Sequence, residues 1–102
     1  MYIVIIEKNV ERFIKSLQKS SQGKVLRLKK LMIEYGADLG MPHSKILSRK
    51  LFELRIRGIQ EIRIFYTSMG NRIILFHGFI KKTNRTPKRE LDLANKILNE
   101  II

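Results

Sequence analysis

The sequence contains no cysteine. This absence excludes disulfides, thiolate metal ligands and cysteine nucleophiles, and it is compatible with a reducing compartment. Long hydrophobic runs are also lacking, since stretches such as Ile73–Phe76 are far too short to cross a bilayer. The first ten residues have no basic segment ahead of their short apolar run. We therefore expect no signal peptide, no membrane partner and a cytoplasmic location.

Signatures of phosphate-binding loops and metal sites are missing as well. The chain has no glycine-rich phosphate loop, which argues against nucleotide hydrolysis. Its only two histidines, His43 and His77, are far apart and lack the spacing of metal ligands, so we predict no metal site and no cofactor. His43 is expected in a solvated loop. His77 is expected to be partly buried with satisfied hydrogen bonds, on the side of its strand that also carries Leu75 and Phe79.

Acidic residues are few, and this imbalance is the first indication of function. The 102 residues include 9 acids against 21 lysines and arginines, so the net charge is +12. Such a charge favours a polyanionic partner, either nucleic acid or an acidic protein, over a merely solubilising surface. Residues 45–89 hold twelve of the basic side chains and two acids, a net charge of +10. The basic side chains are Lys45, Arg49, Lys50, Arg55, Arg57, Arg63, Arg72, Lys81, Lys82, Arg85, Lys88 and Arg89.

The first third of the chain predicts a strand followed by two helices. Tyr2–Ile6 is a β-rich run typical of a buried strand. Apolar residues then recur at helical spacing over 10–17 and 25–35, with a break at 20–23, which predicts a helical hairpin ending near Gly36. The charged faces of both helices are interpreted as solvated surface without a chemical role. They carry Lys15, Lys19, Lys24, Lys29 and Lys30.

The middle of the chain alternates like a β-sheet. Residues 37–48 are expected to form a loop because they contain glycine and proline. Three strands are then predicted over Leu51–Arg57, Glu61–Ser68 and Arg72–Lys81, with a tight hairpin turn at Gly70-Asn71 between the last two.

A last helix follows the three strands. Thr86 and Pro87 suit the N-cap and the first helical position, and an apolar stripe continues from Leu91 to Ile101. The resulting order β, α, α, β, β, β, α predicts an α+β fold with an N-terminal strand, a helical hairpin, a three-stranded antiparallel meander and a C-terminal helix. The length suits one domain, predicted over residues 1–102.

The two faces of the predicted sheet differ in chemistry. Phe52, Leu54 and Ile56 share one face, which the helices are expected to cover. The opposite, solvent-facing side is expected to bring charged residues of adjacent strands together. Because like charges repel unless an anion joins them, that side is suited to receive a phosphate. Its charged residues are Glu53, Arg55, Arg57 and Arg63.

Three segments of the chain carry a family resemblance. The runs LFELRIR, EIRIFY and IILFHGFIKKTNRTPKREL resemble the HigB-type, phage-derived branch of the RelE/ParE toxin superfamily, and the resemblance covers nearly the whole chain. Its most specific parts are Glu53-Leu54-Arg55, Arg63, and Lys81-Lys82-Thr83 leading to Pro87. The resemblance implies a RelE-like fold and a toxin of a type II toxin–antitoxin module. It also implies mRNA cleavage, commonly on the translating ribosome, and silencing by a cognate antitoxin of helix-turn-helix type.

The chemistry of these residues agrees with metal-independent RNA cleavage, in which a ribose 2′-hydroxyl attacks the adjacent phosphate. Arginine stabilises charge on the phosphate oxygens, and lysine can align the nucleophile or move a proton. Glu53 is either a second base or an ion-pair partner that holds an arginine. We predict catalytic roles for Arg55, Arg63, Lys81 and Lys82. RNA-binding roles are predicted for Arg49, Lys50, Glu53, Arg57, Thr83 and Arg85.

The identity of the general acid and base is left open. RelE relatives commonly use a tyrosine or histidines near the C-terminus, whereas no tyrosine follows Tyr66 here and no histidine follows His77. Arg63 is expected to present a fixed guanidinium to the phosphate, so its replacement by alanine should reduce cleavage about 10²-fold or more. Because the residue is expected on a solvent-facing surface, this replacement should cause little loss of stability. Two alternative functions remain, namely a ParE-like gyrase poison and a non-catalytic RNA- or ribosome-binding module.

Overall fold

A computed structural model describes all residues from Met1 to Ile102 and contains one five-stranded sheet and three helices. The strand order is β1-β5-β4-β3-β2, with β1 parallel to β5 and every other pair antiparallel. The predicted α+β fold is thereby confirmed. No helix has both the length and the apolar character needed to cross a membrane. The elements are β1 (Ile3–Ile6), α1 (Lys8–Lys15), α2 (Lys19–Tyr35), β2 (Ser44–Ser48), β3 (Leu51–Ile56), β4 (Ile62–Met69), β5 (Arg72–Ile80) and α3 (Lys88–Ile101).

The loop predicted over 37–48 is wrong in its second half, because residues Ser44–Ser48 form β2. This strand pairs antiparallel with β3 and forms one edge of the sheet. The strand is short and mostly polar, which is typical of an edge strand, because one of its sides has no neighbouring strand. Ser44 is buried, and its hydroxyl accepts a hydrogen bond from the backbone N–H of Leu39 at 3.1 Å. The segment before β2 is thus held against the sheet.

The break in the helical hairpin also lies earlier than predicted. Residues 20–23 fall inside α2, which begins at Lys19, and the connection to α1 is formed by residues 16–18. The polar residues at the start of α2 find a tertiary partner in Gln60, between β3 and β4. Oε1 of Gln60 accepts hydrogen bonds from the Gln18 N–H and the Ser21 hydroxyl, both at 3.2 Å. Because this partner is distant in the sequence, the local pattern alone suggested a break.

The sheet is covered on both faces. Helices α1 and α2 pack on the face that carries Leu54, Ile56 and Ile64, as expected. Helix α3 covers the opposite face, where its residues Ala94 and Leu98 join a second core. The expectation that all helices share one face is therefore wrong. The sheet residues of the second core are Leu51, Phe65, Phe76 and Phe79.

A β-bulge in β5 supplies this second apolar surface. Leu75 pairs with Tyr66 and His77 pairs with Phe65, so Phe76 is an extra residue on β5. The bulge reverses the alternation, and Leu75 faces the first core while Phe76 faces the second. His77 stacks with Phe65 and so lies on the side away from Leu75. The prediction that Leu75 and His77 share a side is wrong for this reason.

Gly78 allows α1 to approach β5 closely. A Cβ atom added at Gly78 would lie 2.5 Å from Cδ2 of the Phe13 ring, whereas one added at Gly23 in α2 would meet nothing within 4 Å. We expect Gly78→Ala to lower the free energy of unfolding by about 1–3 kcal/mol through overpacking. The matched control Gly23→Ala should raise it by about 1 kcal/mol. Urea denaturation measures both, and equal effects would contradict close packing of Phe13 on β5.

Candidate functional site

Charged side chains of β3 and β4 meet on the face that α3 covers in part. Arg55 of β3 is paired directly with Arg63 of β4, so both side chains project from the same face of the sheet. Glu53 lies two residues before Arg55 and therefore projects from that face as well. We call Glu53, Arg55 and Arg63 the ion cluster.

Glu53 is the buried centre of the ion cluster, with 1% of its surface exposed. Its Oε1 atom accepts a hydrogen bond from Nε of Arg55 at 3.1 Å and lies 3.8 Å from Nε of Arg63. Its Oε2 atom accepts a hydrogen bond from the hydroxyl of Thr86 at 3.0 Å. Both carboxylate oxygens are thus engaged within the protein. Of the two roles considered for Glu53, this geometry favours the ion-pair partner that holds the arginines.

Thr86 contributes to this centre instead of capping a helix. The N-cap of α3 is Pro87, its carbonyl accepts hydrogen bonds from the N–H groups of Glu90 and Leu91, and no side chain caps the helix. The predicted arrangement of Thr86 at the N-cap and Pro87 at the first helical position is therefore displaced by one residue. The hydroxyl of Thr86 instead donates to Glu53 and accepts no hydrogen bond from the first N–H groups of the helix.

Arg63 is buried, with 1% of its surface exposed, so the expected solvent-facing position is wrong. Its Nη1 atom donates to the carbonyl of Ile62 at 3.0 Å, its Nη2 atom lies 3.6 Å from Oε1 of Glu61, and its Nε atom has no hydrogen-bond partner. Burial lowers the pKa of Arg63 below its usual value because desolvation disfavours the charged guanidinium. Strand alternation gives the face of a residue, but not whether a distant helix covers that face.

Arg55 is the accessible cation of the ion cluster. Its side chain is 15% exposed, and while Nε is bound to Glu53, Nη1 lies 4.0 Å from Sδ of Met41 in the segment before β2. Arg55 is also one of the residues that line a cavity of about 200 Å³ beside β3. Arg57, one of the predicted RNA-binding residues, is exposed and lines the same cavity. The structure thus brings Arg55 and Arg57 together at one end of β3.

The predicted site residues after β5 lie at the neighbouring strand end. The N–H of Lys81 donates to the carbonyl of Glu61 at 2.7 Å, which places Lys81 beside the start of β4. The Lys81 ammonium donates to the carbonyl of Asn84 at 2.9 Å. Lys82 and Thr83 are exposed and line a groove on the β5 side. The hydroxyl of Thr83 donates to the carbonyl of Arg85, a residue that is exposed as well.

Arg49 and Lys50 are not brought to this end of the sheet. Both are exposed in the turn between β2 and β3, ahead of the first residue of β3. At roughly 3.3 Å per strand residue, Arg55 lies about 15 Å or more from them along the chain. Arg49 and Lys50 are therefore better placed for a neighbouring phosphate of a longer strand than for the phosphate at Arg55.

Three basic residues of the cavity beside β3 received no role in the sequence interpretation. Lys24 and Arg27 come from α2, and His43 comes from the segment before β2. His43 is exposed as expected, and its carbonyl accepts the N–H of Arg55 at 2.8 Å, which brings it to the cavity. No local signal identifies these residues, because their proximity to Arg55 depends on how α2 and β2 pack on β3.

His77 matches the expectation of a satisfied, partly buried histidine. Its Nε2 atom lies 2.7 Å from Oε1 of Glu90, and its side chain is 15% exposed. The ring stacks with Phe65 and Phe79 at centroid distances of 6.1 and 6.0 Å. This environment accounts for His77 as a link between β5 and α3.

Comparison with known proteins places the chain in a family. Residues 12–99 match the model of the phage-derived protein Gp49-like family (DUF891), a span that reaches from α1 into α3. The chain therefore belongs to this Gp49-like family. The family belongs to the RelE/HigB-type toxin group, which indicates a cognate antitoxin as partner. A search of curated proteins finds no match to the chain.

Proposed function

We propose that this protein is the toxin of a type II toxin–antitoxin module and a metal-independent endoribonuclease. Its substrate is mRNA on the translating ribosome, so cleavage blocks translation. In this proposal residues 1–102 form one toxin domain, and the cognate antitoxin is of helix-turn-helix type. The observation that carries the proposal is the ion cluster, in which two arginines from adjacent strands share a buried carboxylate and one of them reaches an open basic cavity.

The proposed reaction is transfer of a phosphodiester to the neighbouring ribose oxygen. The 2′-oxygen forms a bond to phosphorus, and the bond from phosphorus to the 5′-oxygen of the next nucleotide breaks. The 2′-hydroxyl loses its proton to a base and the 5′-oxygen receives one, which leaves a 2′,3′-cyclic phosphate and a 5′-hydroxyl. Charge grows on the phosphate oxygens during this step, and a fixed cation stabilises it most effectively.

Arg55 is suited to that stabilisation because Glu53 restrains one side of its guanidinium. A planar guanidinium held in one orientation can donate two hydrogen bonds to phosphate oxygens without reorganising at the transition state. Arg63 is buried and does not contact the substrate in this mechanism. Its charge raises the positive potential at Arg55, because the surrounding region has a low dielectric constant. Glu53 and Arg63 are therefore positioning residues in this mechanism, whereas Arg55 contacts the substrate.

The lysines at the end of β5 complete the proposed site. Lys81 is held beside the start of β4, and Lys82 is exposed next to it, so their ammonium groups can approach the same strand end as Arg55. We assign proton exchange and alignment of the ribose to this lysine pair. Thr83 and Arg85 extend the polar surface on which the RNA would continue.

The deciding experiment is primer extension on a reporter mRNA after brief induction of the toxin in cells. We expect new 5′ ends within the coding region, and we expect them to disappear when the start codon of the reporter is removed, because cleavage requires translation. Arg72→Ala, at the exposed first residue of β5, serves as a charge-matched control and should cleave like the wild type. Growth arrest with gyrase-dependent DNA breaks and an intact reporter would instead identify a gyrase poison. Growth arrest with neither outcome would identify a non-catalytic binding module.

A further inference from the structure

We infer that the cavity beside β3 is a second phosphate-binding site, which holds a single-stranded RNA backbone next to the position of cleavage. This inference rests on the proposed endoribonuclease function and adds residues from α2 to it. We call the cavity the α2 pocket. Its basic residues are Lys24, Arg27, His43, Arg55 and Arg57.

The walls of the α2 pocket come from three parts of the chain. Lys24 and Arg27 lie one helical turn apart on α2, His43 precedes β2, and Arg55 and Arg57 lie at the end of β3. The cavity has a volume of about 200 Å³, and its lining includes no aspartate or glutamate. A concave surface with this concentration of positive charge attracts an anion strongly, because the cavity walls focus the field.

Lys24 is held in place at the pocket. Its ammonium donates to the carbonyl of Arg57 at 2.6 Å, which fixes α2 to the end of β3. The ammonium also lies close to Gly58, where an added Cβ atom would be 2.5 Å from Nζ of Lys24. Gly58 has a φ of +158°, so both its backbone conformation and its missing side chain suit this contact. One positive charge of the pocket is thus preorganised.

The three arginines of the pocket have a single acidic partner between them. Neither Arg27 nor Arg57 forms an ion pair, and Arg55 shares the single carboxylate of Glu53 with Arg63. Uncompensated arginines around one cavity repel each other, and a bound phosphate would relieve that repulsion. Binding of a polyanion is therefore more favourable here than on the surfaces where lysines form pairs, such as Lys88 with Asp92.

Arg55 makes RNA the favoured occupant over an acidic peptide. Arg55 belongs to the ion cluster through Nε, and it is also one of the residues that line the α2 pocket. A strand with its cleaved phosphate at Arg55 would therefore continue directly into the pocket, where its next phosphate meets Arg27 and Arg57. Regularly spaced phosphates along one backbone match two adjacent sites, as in other grooves that track single strands.

The test compares Arg27→Ala with Arg12→Ala in the full-length chain. Both residues are exposed arginines on helices, and Arg12 lies on α1 outside the pocket. The probe is a fluorescein-labelled single-stranded RNA of about a dozen nucleotides, with 2′-O-methyl groups that prevent cleavage. We expect Arg27→Ala to weaken binding about tenfold, the scale of one charged hydrogen bond. The slope of log affinity against log salt should also become shallower by about 0.7, whereas Arg12→Ala should change neither quantity appreciably.

Each other outcome overturns the inference in a distinguishable way. Equal RNA affinity for Arg27→Ala and Arg12→Ala, in a protein that still cleaves mRNA in cells, would refute the α2 pocket and leave the proposed function standing. A wild-type protein that neither binds the probe nor cleaves mRNA would refute both. A labelled glutamate-rich peptide provides the third arm. If Arg27→Ala weakens binding of that peptide but not of RNA, the pocket is a site for an acidic protein.

Discussion

Replacing Arg55 by alanine should reduce mRNA cleavage about 10²-fold or more, the scale for removing one preorganised donor to a transition-state oxyanion. The reason is that Arg55 is the member of the ion cluster whose guanidinium is accessible, and Glu53 holds it in one orientation. Arg55→Lys should recover only part of the activity, because an ammonium cannot donate two parallel bonds to a phosphate. Primer extension with a ribosome-bound mRNA measures the loss.

The control for Arg55→Ala is Arg72→Ala, which removes the same charge from the first residue of β5, at the end of the sheet away from Arg55. Circular dichroism should show that both variants keep the native helix and strand content. A folded Arg55→Ala variant with wild-type cleavage would contradict the role of the ion cluster in phosphate binding. The α2 pocket would lose its link to catalysis at the same time.

Arg63→Ala should mainly reduce stability, with a loss of about 3–5 kcal/mol in the free energy of unfolding. The side chain is 2% exposed and lies beside the buried carboxylate of Glu53, so its removal leaves that charge with less compensation and opens a void. Arg72→Ala, at an exposed site, should change the free energy of unfolding by less than about 0.5 kcal/mol. Urea denaturation at neutral pH measures both values.

A double variant keeps the prediction for Arg63 testable if Arg63→Ala does not fold. The double variant Glu53→Gln/Arg63→Met removes both charges and fills most of the volume, so it should recover much of the stability that Arg63→Ala loses. A loss for Arg63→Ala as small as that for Arg72→Ala would mean that Arg63 is solvated in solution. In that case Arg63 would contact the substrate directly, as the sequence interpretation expected.

Several features of the fold follow from the local sequence. Period-2 alternation in β3 and β4 places Arg55 and Arg63 on one face, and their direct cross-strand pairing agrees with it. Gly70 adopts a φ of +62° in the turn between β4 and β5, where the sequence predicts a tight hairpin. These features depend on neighbouring residues and on the stereochemistry of the backbone, which the sequence displays directly.

Other features depend on contacts between distant parts of the chain. The bulge at Phe76 and the apolar stripe of α3 together create a second core, and α3 therefore covers the face on which Arg63 lies. A charged residue in an alternating strand looks the same in the sequence whether that face is open or covered. Burial of Arg63 and of Glu53 was consequently decided by tertiary packing.

The site shows the same division between local pattern and packing. The sequence by itself determined the charge of +12, its concentration in residues 45–89 and the shared face of Arg55 and Arg63. Only the tertiary structure joined Lys24 and Arg27 of α2 to the end of β3. The physical reason is that periodicity specifies which way a side chain points within its own element. Which elements meet is determined by the burial of apolar surface over the whole chain.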